Sequence, residues 1–353
     1  MNHHLSTLLL QATQLHASDL HLVAGVPPTF RINGEIIFAD ADALTPSENT
    51  EMAMSILNDE HRKTFERDWE LCISLPHSAA GRVRITLYKR NGSPEISVRF
   101  CGERIKTREE LGLPQKLEEI ARRTSGLILI TGPTGSGKTT TLNNLVDQIN
   151  RERRCKVITI EDPIECVHQN NRAIVIQQEV LTDTHSFNRA LIHVLRQDPD
   201  VIVVGEMRDH ETIATALTAA ETGHLVLATL HSPTAALAIE RIVGVFEGNA
   251  QRQVILQLSN SLQAIVGQDL LPSADRQKRV LAYELLVANP AIRNNIRDNN
   301  LQHIETTMQV SGKDGMVLMD RYLHQLYSTC QITYDTALSR ARNPEAIQKL
   351  LNK

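Results

Sequence analysis

Residues 132–139 read Gly132-Pro133-Thr134-Gly135-Ser136-Gly137-Lys138-Thr139. The apolar run Leu127-Ile128-Leu129-Ile130-Thr131 precedes them, and a helical pattern from Thr140 to Ile149 follows. Strand, glycine-rich loop and helix in that order form the setting that a phosphate-binding loop requires. Gly132, Gly135 and Gly137 let the backbone turn tightly with its N–H groups aimed inward. The N-terminus of the following helix adds partial positive charge where phosphate oxygens sit. Lys138 can reach the β/γ-phosphates, and the Thr139 hydroxyl can ligate Mg²⁺. The stretch from Gly132 to Thr140 is therefore read as the nucleotide-binding segment. It implies a nucleotide and a metal, and leaves open what hydrolysis would drive.

Working outward, the chain of 353 residues is long enough for two or three cores. A hydrophobic content of 41% and a charged content of 22% are those of an ordinary globular protein. The net charge of −4 provides no basic field for nucleic acid, and 3% aromatic residues are too few for a base-stacking surface. No apolar run reaches the roughly 18 residues of a membrane span. Leu5, Leu8, Leu9 and Ala12 lie at helical spacing without a basic leader, which predicts an amphipathic helix in a cytosolic protein. The five cysteines are scattered without a C-x-x-C pair, which predicts reduced and mostly buried thiols.

Residues 1–100 alternate short strand-like and helical patterns. A hairpin is expected around Asn33-Gly34, and period-two strands at 82–88 and 95–100. A small α+β domain fits. Residues 101–113, charged and containing Gly102 and Gly112, read as a linker. Residues 114–275 alternate strands with helices, as a parallel α/β sheet requires, with strands at 127–131, 157–160, 173–176, 201–204 and 225–230. Residues 276–353 carry mainly helical periodicity, as in Met316, Met319, Tyr322, Leu323 and Leu326.

Several polar segments recur at the ends of these strands. Glu161, Asp162 and Glu165 follow one of them, where α/β sheets place ligands and a carboxylate can hold Mg²⁺ or orient a water; an acidic turn before proline is also common. The run Val201–Val204 ends at Gly205-Glu206, which makes Glu206 a candidate metal-organising acid. His224 and His231 bracket a further apolar run, each either a catalytic group or a hydrogen-bonded structural histidine. Arg84 and Arg99 lie on expected strands of the N-terminal domain, either solvated or reaching a nucleotide.

Taken in order, these segments resemble the PilT-type ATPases, the type IV pilus retraction motors of the secretion-ATPase superfamily. The resemblance rests on 17–28 (Ala17-Ser18-Asp19-Leu20-His21-Leu22 with Gly25 and Pro27-Pro28), the loop 132–139, the acidic box 161–165, the strand end 205–209, the histidine box 222–231 and the signature 291–297. It implies a PAS-like α+β domain, a hinge at 101–113, a RecA-like P-loop core and a C-terminal helical region. It implies ATP and Mg²⁺ as cofactors, with Lys138 on phosphate, Thr139 and Glu206 on the metal, Glu165 on the attacking water and His224 sensing the γ-phosphate or bridging to a neighbouring element. Arg84 and Arg99 would close on nucleotide from the N-terminal domain. Arg293 and Arg297, at i and i+4, would face outward or across a subunit boundary and couple to partners.

The implied assembly is a cytoplasmic homohexamer at the inner-membrane base of a pilus, with a platform protein, a second pilus ATPase as a further candidate partner, and no nucleic acid. Asn295 stands where the family usually has leucine. The segment 77–81 and the loop 89–95 also depart from typical members. Missing cysteine pairs favour a retraction motor over an assembly or secretion ATPase. A PilU-like accessory enzyme and a non-hydrolysing docking ring are the remaining alternatives.

Overall fold

The computed structural model describes residues 2–32, 34–77, 81–100 and 104–351. Asn33 of the expected turn, Cys101, Gly102 and the centre of the 77–81 segment lie outside them. The chain divides into two compact units, one formed by Met1–Arg104 with Asp162–His168 and Glu179–Leu181, the other by the remaining residues.

In the first unit, the helix His3–Gln14 buries Leu5, Leu8, Leu9 and Ala12, the positions whose spacing predicts it, and Asn2 caps its first turn. Six strands follow: β1 (Asp19–Leu22), β2 (Thr29–Ile32), β3 (Glu35–Phe38), β4 (Glu70–His77), β5 (Gly81–Arg90) and β6 (Ser93–Phe100). They form one sheet in the order β3-β2-β1-β6-β5-β4. Every pairing in it is antiparallel. Phe30, Phe65, Ile85, Leu87 and Ile96 fill its core. Glu95 is fully buried within β6, yet its carboxylate is satisfied three ways: by the Ala24 N–H (2.9 Å), the Asn49 side-chain amide (3.0 Å) and the Arg90 guanidinium (3.0 Å). A buried charge persists only with partners of this kind.

The second unit is built on seven strands: β7 (Gly126–Thr131), β8 (Lys156–Glu161), β9 (Ile174–Glu179), β10 (Val201–Val204), β11 (Leu225–Leu230), β12 (Leu262–Pro272) and β13 (Arg279–Val287). Their order is β13-β12-β7-β11-β10-β8-β9. β7, β10 and β11 are buried at every position, as strands covered by helices on both faces must be. β12, β7, β11, β10 and β8 run parallel, while β13 returns antiparallel beside β12.

β12 and β13 correct the sequence reading, which placed helical structure from 276 onward. β13 is a nearly continuous apolar run, Val280 to Val287, buried in its second half, so it lacks the period-two alternation that marks a half-exposed strand. Helices follow it: Pro290–Arg297, Ile304–Val310, Met319–Ser328, Tyr334–Arg340 and Pro344–Leu351. The thiols also differ from expectation. Among the described residues Cys72, Cys155 and Cys166 are half-buried and Cys330 is exposed. No helix among the described residues is long and apolar enough to cross a membrane.

One buried acid in β13 carries a cost. Glu284 is 4% exposed and packs on Gly267, where a Cβ would come within 2.7 Å of its Cγ. Its Oε1 accepts the N–H of Ala235, the first residue of the helix Ala235–Gly244, at 2.5 Å. Burial nevertheless dominates and pushes its carboxyl up from 4.5 to about 7. Between those pH values the folded chain holds a proton that the unfolded chain has lost, so stability falls as pH rises through this window. Full ionisation costs about 3 kcal/mol. Glu284→Gln keeps the acceptor and removes the charge; thermal melts from pH 5 to 8 are expected to show a smaller fall in Tm than wild type, with the variant the more stable at pH 8.

Candidate functional site

β7 ends at Thr131 and the loop 132–137 leads into the helix Lys138–Glu152. Gly132, Gly135 and Gly137 all have positive φ, 148°, 79° and 89°. At Gly132 a Cβ would lie 2.2 Å from the Gln268 carbonyl oxygen, so only glycine fits. Lys138 is buried and folded back onto its own loop, donating to the carbonyls of Gly132 and Pro133 at 2.9 Å each. Burial lowers its ammonium pKa, and the nearby Glu206 carboxylate opposes that shift. Ser136 Oγ is buried inside the loop with no hydrogen-bond partner. An orphaned hydroxyl beside an open Gly135 fits a loop shaped to receive ligand oxygens. Thr134 and Thr140 are exposed, and Thr139 is half-buried at the first helical turn.

The neighbouring strands bring further groups to the same edge of the sheet. Gly205 follows β10, and its N–H donates to the Ile160 carbonyl at 2.8 Å. A Cβ there would stand 3.0 Å from that same oxygen, which explains a glycine between the strand and its acid. Glu206 then lies 2.8 Å from Arg208 and 3.3 Å from His231 Nε2. His231 follows β11; burial first and Lys138 second depress its imidazole, keeping it neutral more readily. The Thr131 hydroxyl bonds the backbone of Ser232 and so ties the two strand ends together. A cavity of about 370 Å³ opens here, lined by Gly132, Pro133, His231, Asp269, Arg340 and Arg342 among others. Glu161, at the end of β8, is buried and accepts from Thr159 (2.7 Å) and Gln177 (2.9 Å). The oxygen donors Thr139 and Glu206 suit a hard divalent cation.

His224 is placed differently from expectation. It precedes β11, opposite the start of β7, and the Gly126 N–H donates to its carbonyl. Its Nδ1 lies 3.0 Å from the Ala219 carbonyl. Parallel pairing runs Gly126↔Leu225 through Thr131↔Leu230, so His224 is a strand length, about 20 Å, from the loop edge. The side chain brought to the loop within this subunit is His231, because the ligand edge of a parallel sheet is its carboxyl end.

In the first unit Arg84 and Arg99, 15 positions apart, are direct cross-strand neighbours on β5 and β6. Like charges so placed repel. Two acids offset this: Glu165 lies 3.5 Å from Arg84, and Asp19 lies 2.9 Å from Arg99. Asp162, Glu165 and their segment belong to this unit, where the Ser74 hydroxyl donates to the Ile164 carbonyl at 2.7 Å and Glu179 receives the Ile164 N–H at 3.0 Å.

The signature helix Pro290–Arg297 also departs from expectation. Arg293 does not face outward. Its guanidinium donates to the carbonyls of Ala288 (3.1 Å), Ser259 (2.7 Å), Asn260 (2.6 Å) and Leu262 (2.6 Å), closing the C-terminal end of the helix Gly248–Ser261. Arg297 is exposed and makes one long contact, 3.4 Å, to Asn260. Asn295 is half-buried and donates to Thr307 at 2.9 Å, and Ala291, expected on the apolar face, is exposed.

A glycine-rich loop between a central parallel strand and a helix, with acids at neighbouring strand ends, defines a P-loop NTPase. The family described as type II/IV secretion system protein matches residues 97–317. The type IV pilus retraction ATPase PilT of Pseudomonas aeruginosa is 39% identical over 97% of this chain and 99% of its own length. The type IV pilus ATPase PilU of the same organism is 36% identical over 98% of this chain and 90% of its own length. A crystal structure of the pilus retraction motor PilT with bound ADP superposes with a TM-score of 0.90 at 45% identity, covering 98% of both chains. The chain belongs to the PilT-type ATPases of the type II/IV secretion family.

The Arg293 cap yields a separable expectation. Arg293→Ala leaves helix-terminal carbonyls without donors and should lower unfolding free energy by about 2 kcal/mol. Arg297→Ala should change it by less than about 0.5 kcal/mol. Urea denaturation of the two variants checks this.

Proposed function

We propose that this chain is an ATP-hydrolysing motor that powers type IV pilus retraction, working as a homohexamer at the pilus base against an inner-membrane platform protein. The observation that carries it is the convergence of Lys138, Glu206 and His231 at one sheet edge in a chain that matches a retraction ATPase end to end. Bound ATP–Mg²⁺ supplies the phosphoanhydride and a charge-neutralising metal. Lys138 leaves the two loop carbonyls and places its ammonium on the β/γ-phosphates. Thr139 and Glu206 hold the metal, and Glu206 keeps His231 oriented. Glu165 acts on the attacking water, and Arg84 and Arg99 supply cationic groups from the first unit, with Glu161 and Asp162 as further acids of the same box. Arg293 and Arg297 serve force coupling through the signature helix.

Deletion of the gene followed by a count of surface pili tests the reading. More pili with lost twitching supports it; bald cells would show an assembly motor. Full retraction by a second ATPase in the deletion strain, with twitching force alone reduced, would show the accessory role that the PilU likeness favours.

At the site, Lys138→Ala should lower kcat for phosphate release by about 100-fold or more, since the charge it provides acts where charge develops. Wild-type turnover in that variant would remove this loop from catalysis. Glu165→Gln should retain ATP in equilibrium binding while slowing hydrolysis about 100-fold, the usual scale for losing a positioned base. Normal turnover in Glu165→Gln together with loss in Glu161→Gln would reassign the role within the box.

A further inference from the structure

Sequence motifs single out no residue of β12, yet the closest grip on the phosphate-binding loop comes from there. β12 pairs in parallel with β7 up to Gly267↔Thr131, so the next residue, Gln268, stands where the loop begins. Its side chain is 2% exposed and satisfied at both ends. Nε2 donates to the Ser136 carbonyl at 2.7 Å, and Oε1 accepts from the Thr141 hydroxyl at 3.0 Å. The Ser136 carbonyl can only accept, which fixes which end of the amide carries nitrogen. The main chain of Gln268 is the same wall that excludes a Cβ at Gly132, and its Nε2 would stand 3.3 Å from a Cβ at Gly137. One residue thus touches the first glycine of the loop, the peptide before the last, and the first turn of the helix beyond.

We propose that Gln268 is a positioning residue of the nucleotide site, holding the loop in the form that receives phosphate; this rests on the reading of 132–139 as that site. In a trans peptide the C=O and the following N–H point in opposite directions. Drawing the Ser136 carbonyl toward β12 therefore turns the Gly137 N–H away from the strand. That N–H belongs to the set of loop donors that makes an anion nest. The lever is local, geometric and independent of any charge on Gln268. Its contribution is to ground-state and transition-state binding alike, so its loss appears in KM more than in kcat.

The test compares Gln268→Glu and Gln268→Met with wild type in purified full-length protein. The first keeps the acceptor for Thr141 and sets a carboxylate oxygen against the Ser136 carbonyl. The second keeps the approximate volume and removes both bonds. Each should raise KM for ATP by about tenfold or more, the scale of losing a buried hydrogen bond, with a smaller change in kcat. Each should also shrink the rise in Tm that saturating ADP produces in wild type.

A purely structural glutamine would lower the nucleotide-free Tm and leave KM of the folded protein unchanged, and that result overturns the proposal. Should neither variant fold, Thr141→Val removes the hydroxyl from the other end without touching β12. A several-fold rise in KM there supports the proposal, and an unchanged KM overturns it. Lys138→Ala is the control for the underlying reading. If it remains active the loop itself is misassigned; if it is dead while the Gln268 variants bind ADP as wild type, only the role of Gln268 fails.

Discussion

The second unit depends on how closely β7 and β12 approach at their carboxyl ends. At that point a main-chain oxygen of Gln268 occupies the space where any side chain on residue 132 would go. The consequence spreads in both directions. Toward the loop, residue 132 has to be glycine, and its positive φ starts the turn that ends on Lys138. Toward the sheet, β12 has to sit beside β7, which places β13 on the far edge and Glu284 against Gly267 and the N-terminus of the helix Ala235–Gly244. That helix follows directly from His231 and Ser232, and the Thr131 hydroxyl binds Ser232. Loop, histidine and buried acid are thus parts of one packing solution.

The first unit solves a different problem, that of concentrating positive charge on a sheet. Arg84 and Arg99 stand opposite each other, and Arg31 approaches the same Asp19 that Arg99 holds, at 4.0 Å. Guanidinium groups so crowded need nearby carboxylates, and the segment 162–168 contributes one in Glu165. The acidic box is therefore split by the fold: Glu161 completes β8 of the second unit, while Asp162 and Glu165 pack with the first. An acid whose partner is an exchangeable arginine at 3.5 Å, with both side chains about one-third exposed, is held loosely and is open to other partners.

Much of this architecture was legible in the sequence where local pattern and local structure coincide. The spacing Leu5, Leu8, Leu9, Ala12 is a helix face, the runs 127–131, 201–204 and 225–230 are buried strands, and three glycines around a lysine make a loop whose shape follows from backbone freedom. What escaped was long-range. Gln268 and Glu284 are polar residues inside apolar strands, and their meaning lies in backbone groups 132 and 49 positions away. Arg293 reads as a surface charge by helical spacing, yet four carbonyls from the end of another helix draw it inward. His224 and His231 look equivalent on either side of one strand; only the direction of that strand in the sheet tells which end meets the loop.

β12 also has a mechanical aspect. Arg293 holds the carbonyl of Leu262 at its beginning, and Gln268 holds the phosphate-binding loop near its end. Between them the strand is hydrogen-bonded to β7 on one side and β13 on the other. Six residues of extended chain measure about 20 Å and have almost no slack, because a strand already near full extension cannot lengthen without breaking its ladders. The signature helix and the loop are thus fastened to the two ends of a stiff rod. Displacement of one along the axis of the rod is displacement of the other, which gives the chain a fixed gauge length over which chemical occupancy and mechanical load share a single coordinate.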